Sequence, residues 1–387
     1  MKKTLLLLTL IARLLTTGAQ DAVIPVGELR KFSITNNQLD ITATNGYVRI
    51  QLYSPTVVRV RISAQPFRDD FSYAVIARPS GAIIKPVQTA EEIRFSTDSL
   101  KVIIGKKPFS IRFLTPDDKI INEDEPGLGS SWIGTEITTY KHLQEGERFI
   151  GLGEKTGNLD RKGNAYTNWN SDVYGYTVSQ DPLYSTIPFY IGIHHGLQYG
   201  IFFDNSFQSD FNFGASNNRF SSFGAKGGEM NYYLIYHRSV AGIINDYTWL
   251  TGRMNMPPLW SLGYQQNRYS YYPDTEVFRI AHTLREKKIP ADGITLDIHY
   301  MDAYKLFTWN KERFPDPEGM IDSLGKMGFR TTLIVDPGIK VEKNYPAYES
   351  GIKENIFLKY ADGQPYTGEV WPGWCNFPDF TSEKARN

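Results

Sequence analysis

Residues 293–302 have the sequence GITLDIHYMD, and residues 330–338 have the sequence RTTLIVDPG. Each stretch is a short apolar run that ends in an aspartate, Asp297 in the first and Asp336 in the second. Strands that are apolar at nearly every position and alternate with amphipathic helices are parallel strands covered on both faces. These two stretches therefore predict a parallel β/α arrangement in this part of the chain.

Helical patterns precede each of these predicted strands. Pro273 and Pro317 stand at or next to the start of the two patterns, where proline and a capping residue are favoured. In the first pattern the apolar positions fall on one helical face: Val277, Ala281 and Leu284. A further short strand is predicted over 261–265, and a long excursion over 345–380 follows the third strand. The segment 256–387 therefore predicts the first three strands of a (β/α)8 barrel together with an insertion.

Upstream of residue 256 the pattern changes to a period of two. Val48, Ile50 and Leu52 alternate with polar residues, and similar runs recur as far as residue 255, separated by turn signals such as Asn45-Gly46. Half-buried antiparallel strands have this alternation. We therefore predict an antiparallel β-sandwich domain over 20–255, without long helices.

The N-terminus has the pattern of a targeting segment. Lys2 and Lys3 precede an apolar run over 5–15, and small residues follow up to Ala19. This pattern predicts a secretory signal peptide over 1–19 and a bacterial periplasmic or secreted location. The single cysteine, Cys375, cannot form an intrachain disulfide.

Composition excludes some functions and leaves others open. Lys plus Arg and Asp plus Glu both number 42, so the formal charge is zero, which removes the electrostatic case for a nucleic-acid partner and argues against a membrane partner. Aromatic residues make up 14% of the chain, which suits either sugar stacking or an aromatic β core equally well. No Cys/His spacing indicates a metal, and no cofactor is implied. The oligomeric state is not determined by these patterns.

The two strand-end aspartates are the first candidates for a functional site. In a β/α barrel the loops after the strands build the site, so a polar residue at a strand's C-terminal end carries functional weight. Asp297 and Asp336 both occupy such positions. Carboxylates here suit polyol recognition, because each can accept several hydroxyl hydrogen bonds. The alternative is that each aspartate only caps a neighbouring amide.

Short motifs recur along the chain in a fixed order. In the predicted barrel they are WSLGYQ at 260–265, RY at 268–269, DIHYMD at 297–302, FTW at 307–309, FPDP at 314–317, DPGI at 336–339, WPG at 371–373 and FPDF at 377–380. In the predicted sandwich they are GLGE at 151–154 and DPLYSTIPF at 181–189. The ordered set resembles glycoside hydrolase family 31 over essentially the whole chain after the predicted signal peptide.

This resemblance implies a galactose-mutarotase-like β-sandwich followed by a (β/α)8 TIM barrel. It also implies a retaining α-glycoside hydrolase acting on α-linked oligosaccharides or glycosides. An α-glucosidase that releases glucose from non-reducing ends is the first expectation. An α-xylosidase of the same family and a non-catalytic carbohydrate-binding protein are the alternatives.

The resemblance also implies a set of substrate-binding residues: Asp297, Ile298, Tyr269, Ile334, Asp336, Trp371 and Asp181. Asp297 matches the carboxylate that binds sugar hydroxyls in the −1 subsite, with Ile298 beside it, and Ile334 and Asp336 match the pair on the next strand. Trp371 matches a pocket wall, Tyr269 an aromatic near the pocket floor, and Asp181 a carboxylate on a sandwich loop. His299 departs from the family pattern, and local packing is favoured over a substrate contact.

Retaining glycosidases need two catalytic carboxyl groups about 5–5.5 Å apart. The resemblance implies aspartates on barrel strands four and six, and the expected Trp-x-Asp-Met motif is not found in this sequence. We therefore expect the nucleophile and the acid/base beyond Asn387. This chain is then the substrate-recognition half of a longer enzyme and is itself expected to be inactive.

Overall fold

The computed structural model of the protein describes residues 22–68, 70–79 and 83–387. The signal peptide predicted over 1–19 lies outside the described residues. The chain divides into two compact units, one ending at Met254 and the other running from Asn255 to Asn387. No helix among the described residues is long and apolar enough to cross a membrane.

The first unit consists almost entirely of antiparallel strands. They are β1 (Ile24–Pro25), β2 (Leu29–Thr35), β3 (Gln38–Ala43), β4 (Tyr47–Leu52), β5 (Val57–Ser63), β6 (Val87–Gln88), β7 (Glu92–Ser96), β8 (Lys101–Lys106), β9 (Phe109–Leu114), β10 (Ile120–Glu123), β11 (Ser130–Ile133), β12 (Glu136–His142), β13 (Arg148–Gly153), β14 (Ala165–Asn168), β15 (Thr186–His194), β16 (Leu197–Phe203), β17 (Ser209–Asn212), β18 (Phe220–Ala225) and β19 (Met230–Tyr236).

These strands form three sheets. The largest has eight strands in the order β13-β15-β16-β19-β5-β4-β3-β2, the second has six in the order β1-β11-β12-β18-β17-β14, and the third has five in the order β10-β9-β8-β7-β6. The predicted alternation is confirmed in β4, where Val48, Ile50 and Leu52 are buried and the residues between them are half-buried. The sandwich prediction is therefore confirmed.

The core of the sandwich explains much of the aromatic composition. Phe149 and Phe213 stack with centroids 4.4 Å apart, and the Tyr190 ring meets Phe213 edge-on at 5.1 Å. A buried ion pair crosses this core, in which Lys141 Nζ donates to Asp124 Oδ1 at 2.7 Å. Removing one partner of such a pair typically costs about 3–5 kcal/mol, so the pair constrains the native packing.

One helix in this unit corrects the sequence analysis. Residues Val240–Thr251 form α1, where the period-two pattern predicted only strands. Ser239 caps the helix by accepting a hydrogen bond from Gly242 N, and Ile243 and Leu250 are its buried residues. Its apolar residues lie on exposed as well as buried faces, with Val240, Ile244 and Trp249 partly exposed, so its helical period does not stand out in the sequence.

The second unit has a β/α pattern followed by a small hairpin. Its elements are β20 (Gln265–Gln266), α2 (Asp274–Glu286), β21 (Gly293–Leu296), α3 (Pro317–Lys326), β22 (Arg330–Leu333), β23 (Ile339–Lys340), α4 (Pro346–Glu354), β24 (Thr367–Val370), β25 (Gly373–Asn376) and α5 (Glu383–Arg386). Short 3-10 helices cover Leu259–Leu262, Ile298–Tyr300 and Asp302–Tyr304.

Strands β20, β21 and β22 are parallel neighbours in that order. Helices α2 and α3 connect them, and Val277, Ala281 and Leu284 of α2 are buried as predicted. The start of an incomplete β/α barrel is therefore confirmed. The first strand covers only Gln265–Gln266, so the strand predicted over 261–265 is wrong for residues 261–264, where Ser261 N donates to Pro258 O at 2.9 Å and closes a 3-10 turn.

A buried carboxyl group lies in the turn before β13. Glu147 is 2% exposed, Tyr199 Oη donates to its Oε1 at 2.7 Å, and Gln144 N donates to its Oε2 at 3.0 Å. Burial raises the pKa of Glu147 to about 7, against the lowering effect of the Tyr199 hydrogen bond. The protonated form is therefore favoured in the folded protein below about pH 7.

We predict that Glu147 makes the stability of the first unit depend on pH. Because its folded-state pKa is raised, its stabilising contribution is complete below the ordinary pKa of 4.5 and is lost as the pH rises through about 7. Urea denaturation should give a free energy of unfolding that falls by roughly 2–4 kcal/mol over this window. Glu147→Gln should flatten the profile, and Glu145→Gln, at an exposed neighbouring position, should leave it unchanged. An unchanged profile in Glu147→Gln contradicts the prediction.

Candidate active site

The register of two parallel strands brings the candidate aspartates to one edge of the sheet. Leu296 of β21 pairs with Leu333 of β22, and Ile334 N donates to Leu296 O at 3.0 Å. Asp297 directly follows β21, whereas β22 ends at Leu333 and Asp336 lies three residues beyond it, so the predicted third strand is shorter than its sequence pattern indicated. The carboxyl ends of neighbouring barrel strands meet in this way at the site edge of the fold.

Asp297 caps a neighbouring backbone amide and still has carboxylate acceptor positions open to a ligand. Its Oδ1 accepts a hydrogen bond from Ile298 N at 2.7 Å and caps the 3-10 helix that follows the strand. Its side chain is half-buried, so the cap fixes the carboxylate at the sheet edge without covering it. A carboxylate has about four acceptor positions, and one such cap leaves others for a ligand.

The carboxyl group of Asp336 lies within range of the charge of Asp297. Burial raises the pKa of Asp336 above its ordinary value, and the charge of Asp297 raises it further. Tyr300 links the segments that contain the two aspartates, because its hydroxyl donates a hydrogen bond to Ile334 O at 2.9 Å. Two like charges close together favour any ligand that offers hydrogen-bond donors to both.

Aromatic rings surround His299 beside these carboxylates. Tyr272 stacks on His299 with centroids 4.7 Å apart, Tyr269 meets it edge-on at 5.1 Å, and Tyr304 does so at 5.5 Å. Tyr269 in turn lies 6.0 Å from the ring of Trp371. Tyr269 and Trp371 are 58% and 61% exposed, so their faces are available to a ligand.

His299 is a packing centre within this group. It is only 9% exposed, and Arg313 Nη1 donates to its carbonyl oxygen at 3.3 Å. The Arg313 guanidinium also lies 4.5 Å from the centroid of Tyr272. Burial, with the Arg313 charge second, lowers the pKa of His299 and so favours the neutral imidazole. Local packing of His299 is what the sequence analysis favoured.

Trp371 is presented by a hairpin of the long excursion. It lies in the turn between β24 and β25, whose strands pair from Thr367 with Asn376 to Val370 with Gly373. The hairpin lies against the loop after Asp336, since a Cβ at Gly338 would come within 2.7 Å of Val370 Cγ2. A larger residue at position 338 would push the tryptophan hairpin away from the strand end.

The two isoleucines assigned by resemblance differ in exposure. Ile298 is 2% exposed and belongs to the hydrophobic core of this unit. Ile334 is half-buried and packs against the same core. Both therefore support the strand ends, and their contact with a sugar stays a prediction.

Asp181 belongs to the first unit, where its carboxylate is already engaged. Its Oδ1 accepts from Lys155 Nζ at 2.6 Å, and its Oδ2 accepts from Thr167 N at 2.6 Å. The side chain therefore ties its loop to Lys155 and to Thr167 of β14. Its predicted role over the mouth of the pocket stays a prediction.

Sequence reasoning missed several residues of this site. Tyr272, Tyr304 and Arg313 complete the surroundings of His299, yet none stands at a strand end. The only available signal was the aromatic pair Tyr271-Tyr272 before Pro273. Among the described residues, no group of three His, Cys, Asp or Glu side chains could hold a metal ion.

The fold and this site together define a β-sandwich joined to a β/α-barrel unit with paired strand-end carboxylates. The family description "Glycosyl hydrolases family 31 TIM-barrel domain" matches residues 254–387. The description "Glycosyl hydrolase 31 N-terminal galactose mutarotase-like domain" matches residues 47–212. The chain therefore belongs to glycoside hydrolase family 31.

Similar proteins include two named as alpha-glucosidases and one named as a dextranase. Alpha-glucosidase 2 of Bacillus thermoamyloliquefaciens is 38% identical over 368 residues, covering 94% of this chain and 46% of that protein. The alpha-glucosidase of Saccharolobus solfataricus is 36% identical, covering 74% of this chain and 41% of that protein. A family 31 dextranase of Flavobacterium johnsoniae, solved with isomaltotriose, superposes with a TM-score of 0.87 at 33% identity, covering 92% of this chain and 44% of that one. This chain thus spans about half the length of the relatives it matches.

We predict that Asp297→Asn lowers the pKa of Asp336, because the substitution removes a like charge and keeps an acceptor for Ile298 N. Carboxyl-carbon NMR titration measures the pKa directly. The raised pKa of Asp336 reduces stability as the pH rises through it, so the variant should be more stable than the wild type at neutral pH.

Asp302→Asn is the matched control, because Asp302 is a nearby exposed carboxylate that pairs with Lys305 at 3.2 Å. It should leave the Asp336 titration unchanged. An Asp336 pKa that stays the same in Asp297→Asn would show that the two aspartates do not interact.

Proposed function

We propose that the full-length protein is a retaining α-glycoside hydrolase, and specifically an α-glucosidase that releases glucose from the non-reducing ends of α-linked oligosaccharides. The observation that carries this proposal is the pair of interacting strand-end carboxylates, Asp297 and Asp336, beside exposed aromatic rings. The names of the similar proteins from Bacillus and Saccharolobus support the specificity for glucose.

In this proposal the second unit recognises one glucosyl ring. Asp297 and Asp336 accept hydrogen bonds from adjacent hydroxyl groups, which a neutral polyol supplies without a charge of its own. Tyr269 and Trp371 offer aromatic faces to the C–H face of the sugar. Tyr300 and the His299 cluster hold these side chains in place, which limits the entropy lost on binding.

Bond cleavage requires two further carboxyl groups about 5–5.5 Å apart. One attacks the anomeric carbon as the other protonates the departing glycosidic oxygen, and water then releases the sugar with that second group acting as base. We assign neither role to Asp297 or Asp336, and we place both catalytic groups in the part of the enzyme that follows residue 387.

A second candidate function is dextranase-type cleavage of isomalto-oligosaccharides. The similarity to the Flavobacterium dextranase solved with isomaltotriose favours it. The recognition of a glucosyl ring by Asp297 and Asp336 is the same in both cases. Hydrolysis rates on maltotriose, isomaltotriose and an α-xyloside, measured side by side, separate the α-glucosidase, dextranase and α-xylosidase activities.

We also propose that the protein is exported. The support is the basic start at Lys2 and Lys3, the apolar run over 5–15 and the small residues up to Ala19. N-terminal sequencing of the protein recovered from its native cells should begin at Gln20. Recovery of the intact N-terminus from the cytoplasm would contradict export.

We predict that Asp297→Asn in the full-length enzyme lowers kcat/KM for p-nitrophenyl α-glucoside by a factor of about 10²–10³. The reason is that a charge-assisted hydrogen bond to a sugar hydroxyl becomes a weaker neutral one. Steady-state kinetics with the Asp302→Asn control, which should keep its activity within about twofold, tests this. If wild type hydrolyses the substrate and Asp297→Asn does so equally well, Asp297 does not bind the reacting sugar.

A further inference from the structure

A small cavity of about 280 Å³ in the first unit lies outside the site described above. It is lined by Asn168, Trp169, Asn170, Thr186, Pro188, Asn205, Ser206, Phe207 and Ser209. It opens where β14 ends at Asn168 and β17 begins at Ser209, two residues that pair with each other. The backbone on both sides of the cavity is therefore fixed by a sheet.

Asn168 is the unusual residue of this cavity. It is 5% exposed, and neither its amide nitrogen nor its amide oxygen has a hydrogen-bond partner within the described residues. Buried polar groups are normally paired, and an unpaired one destabilises the folded state. One donor and one acceptor on the same amide match two neighbouring hydroxyl groups of a ligand.

The other amides around the cavity are engaged, in contrast to Asn168. Asn170 Oδ1 accepts from Thr186 N at 3.0 Å and from Thr186 Oγ1 at 2.7 Å. Asn205 Nδ2 donates to Gly227 O at 2.9 Å and to Glu229 O at 3.0 Å. The unpaired state is therefore particular to Asn168.

Two exposed aromatic rings flank the cavity. Trp169 is 52% exposed and Phe207 is 54% exposed, although most aromatic side chains of the sandwich core are buried. Phe207 is held in place, because its N–H donates to Asn205 Oδ1 at 2.8 Å and Gly227 leaves room beside its ring. A rigid exposed ring offers a flat apolar face at little cost in conformational entropy.

The charge of the lining indicates the class of ligand. Among the described residues that form this cavity, none carries an ionisable side chain. A neutral molecule with adjacent hydroxyls and an apolar face therefore fits better than an anion or a cation. The volume is near the lower end of ligand pockets, which begin at roughly 300 Å³, and suits a single sugar ring.

A second cavity continues from the first. It has a volume of about 340 Å³, shares Pro188, Asn205, Ser206 and Phe207 with the first, and is also lined by Phe71 and Tyr73. Unlike the first cavity it has charged residues in its lining, including Asp204, but Arg59 pairs with Asp70 at 2.6 Å and Arg61 pairs with Glu229 at 2.8 Å. These two rings are 69% and 73% exposed and meet edge-on with centroids 4.7 Å apart. The groove can therefore accept a chain of sugars longer than one ring.

We propose that the β-sandwich carries its own binding groove for a neutral oligosaccharide, centred on Asn168, Trp169 and Phe207. Asn168 hydrogen-bonds two adjacent hydroxyls of one ring, and Trp169 and Phe207 contact its C–H face. The choice of an α-linked glucan as the ligand rests on the proposed function, whereas the cavity requires only a neutral pyranose.

The test is calorimetric titration of maltotriose into the full-length protein carrying Asp297→Asn and Asp336→Asn, which weaken the other site. Asn168→Ala and Trp169→Ala, each added to this background, should weaken binding at least about tenfold. Trp249→Ala is the matched control, because Trp249 is a partly exposed tryptophan on α1 that does not line the groove. It should leave the affinity unchanged.

Thermal unfolding separates a ligand site from a structural role. Asn168→Ala removes two unpaired polar atoms, so it should unfold at a temperature no lower than the background protein while losing its stabilisation by maltotriose. If Asn168→Ala fails to fold, the affinity of Trp169→Ala for maltotriose decides the test. This variant is expected to fold because the Trp169 side chain is half exposed.

The proposed groove is refuted as a binding site if maltotriose shows no binding up to roughly 10 mM. It is also refuted if neither Asn168→Ala nor Trp169→Ala changes the affinity of the protein for maltotriose. These outcomes are independent of hydrolysis. A full-length protein without α-glucosidase activity whose maltotriose affinity still depends on Trp169 would refute the proposed function and support the groove. An active α-glucosidase whose maltotriose affinity is unchanged by Trp169→Ala would support the proposed function and refute the groove.

Discussion

The parallel pairing of β21 with β22 is the constraint on which the candidate site depends. Leu296 lies opposite Leu333, so both strands end at one sheet edge, and the residues that follow must emerge side by side. This register brings Asp297 and Asp336 close enough for the charge of one to raise the pKa of the other.

Support for these carboxylates comes from residues that do not themselves face a ligand. Ile298 is buried in the core next to Asp297, and the Tyr300 hydroxyl donates a hydrogen bond to the carbonyl oxygen of Ile334. The Arg313 guanidinium donates a hydrogen bond to the carbonyl oxygen of His299. Such support fixes the acceptors before a sugar arrives, so less entropy is lost on binding. Two like charges held together reduce stability, which is a common feature of sites shaped for a ligand.

Aromatic residues serve two purposes in this chain, and exposure separates them. Phe149, Tyr190 and Phe213 pack inside the sandwich, where their area contributes to folding. Tyr269 and Trp371 in one unit, like Trp169 and Phe207 in the other, keep about half of their surface in water. Exposed rings beside hydrogen-bonding groups suit sugars, which have both a C–H face and a hydroxyl edge.

Much of the architecture followed from local sequence patterns, because burial on one face imposes a period. Alternation around Val48 and Ile50 predicted the sandwich strands, and the apolar runs ending in Asp297 and Asp336 predicted parallel strands with polar ends. The family resemblance rested on ordered motifs that are also local. Helix α1 was missed because its twelve residues bury few apolar positions and give a weak period.

Only the tertiary structure decided which distant residues meet. The stacking of Tyr272 on His299, the engagement of Asp181 by Lys155 and the unpaired amide of Asn168 depend on contacts between segments that no spacing encodes. The sequence by itself determined that a carboxylate follows each of two parallel strands, because periodicity is a property of neighbouring residues. Their mutual distance and their aromatic surroundings were decided by sheet register and loop packing, which are properties of the folded chain.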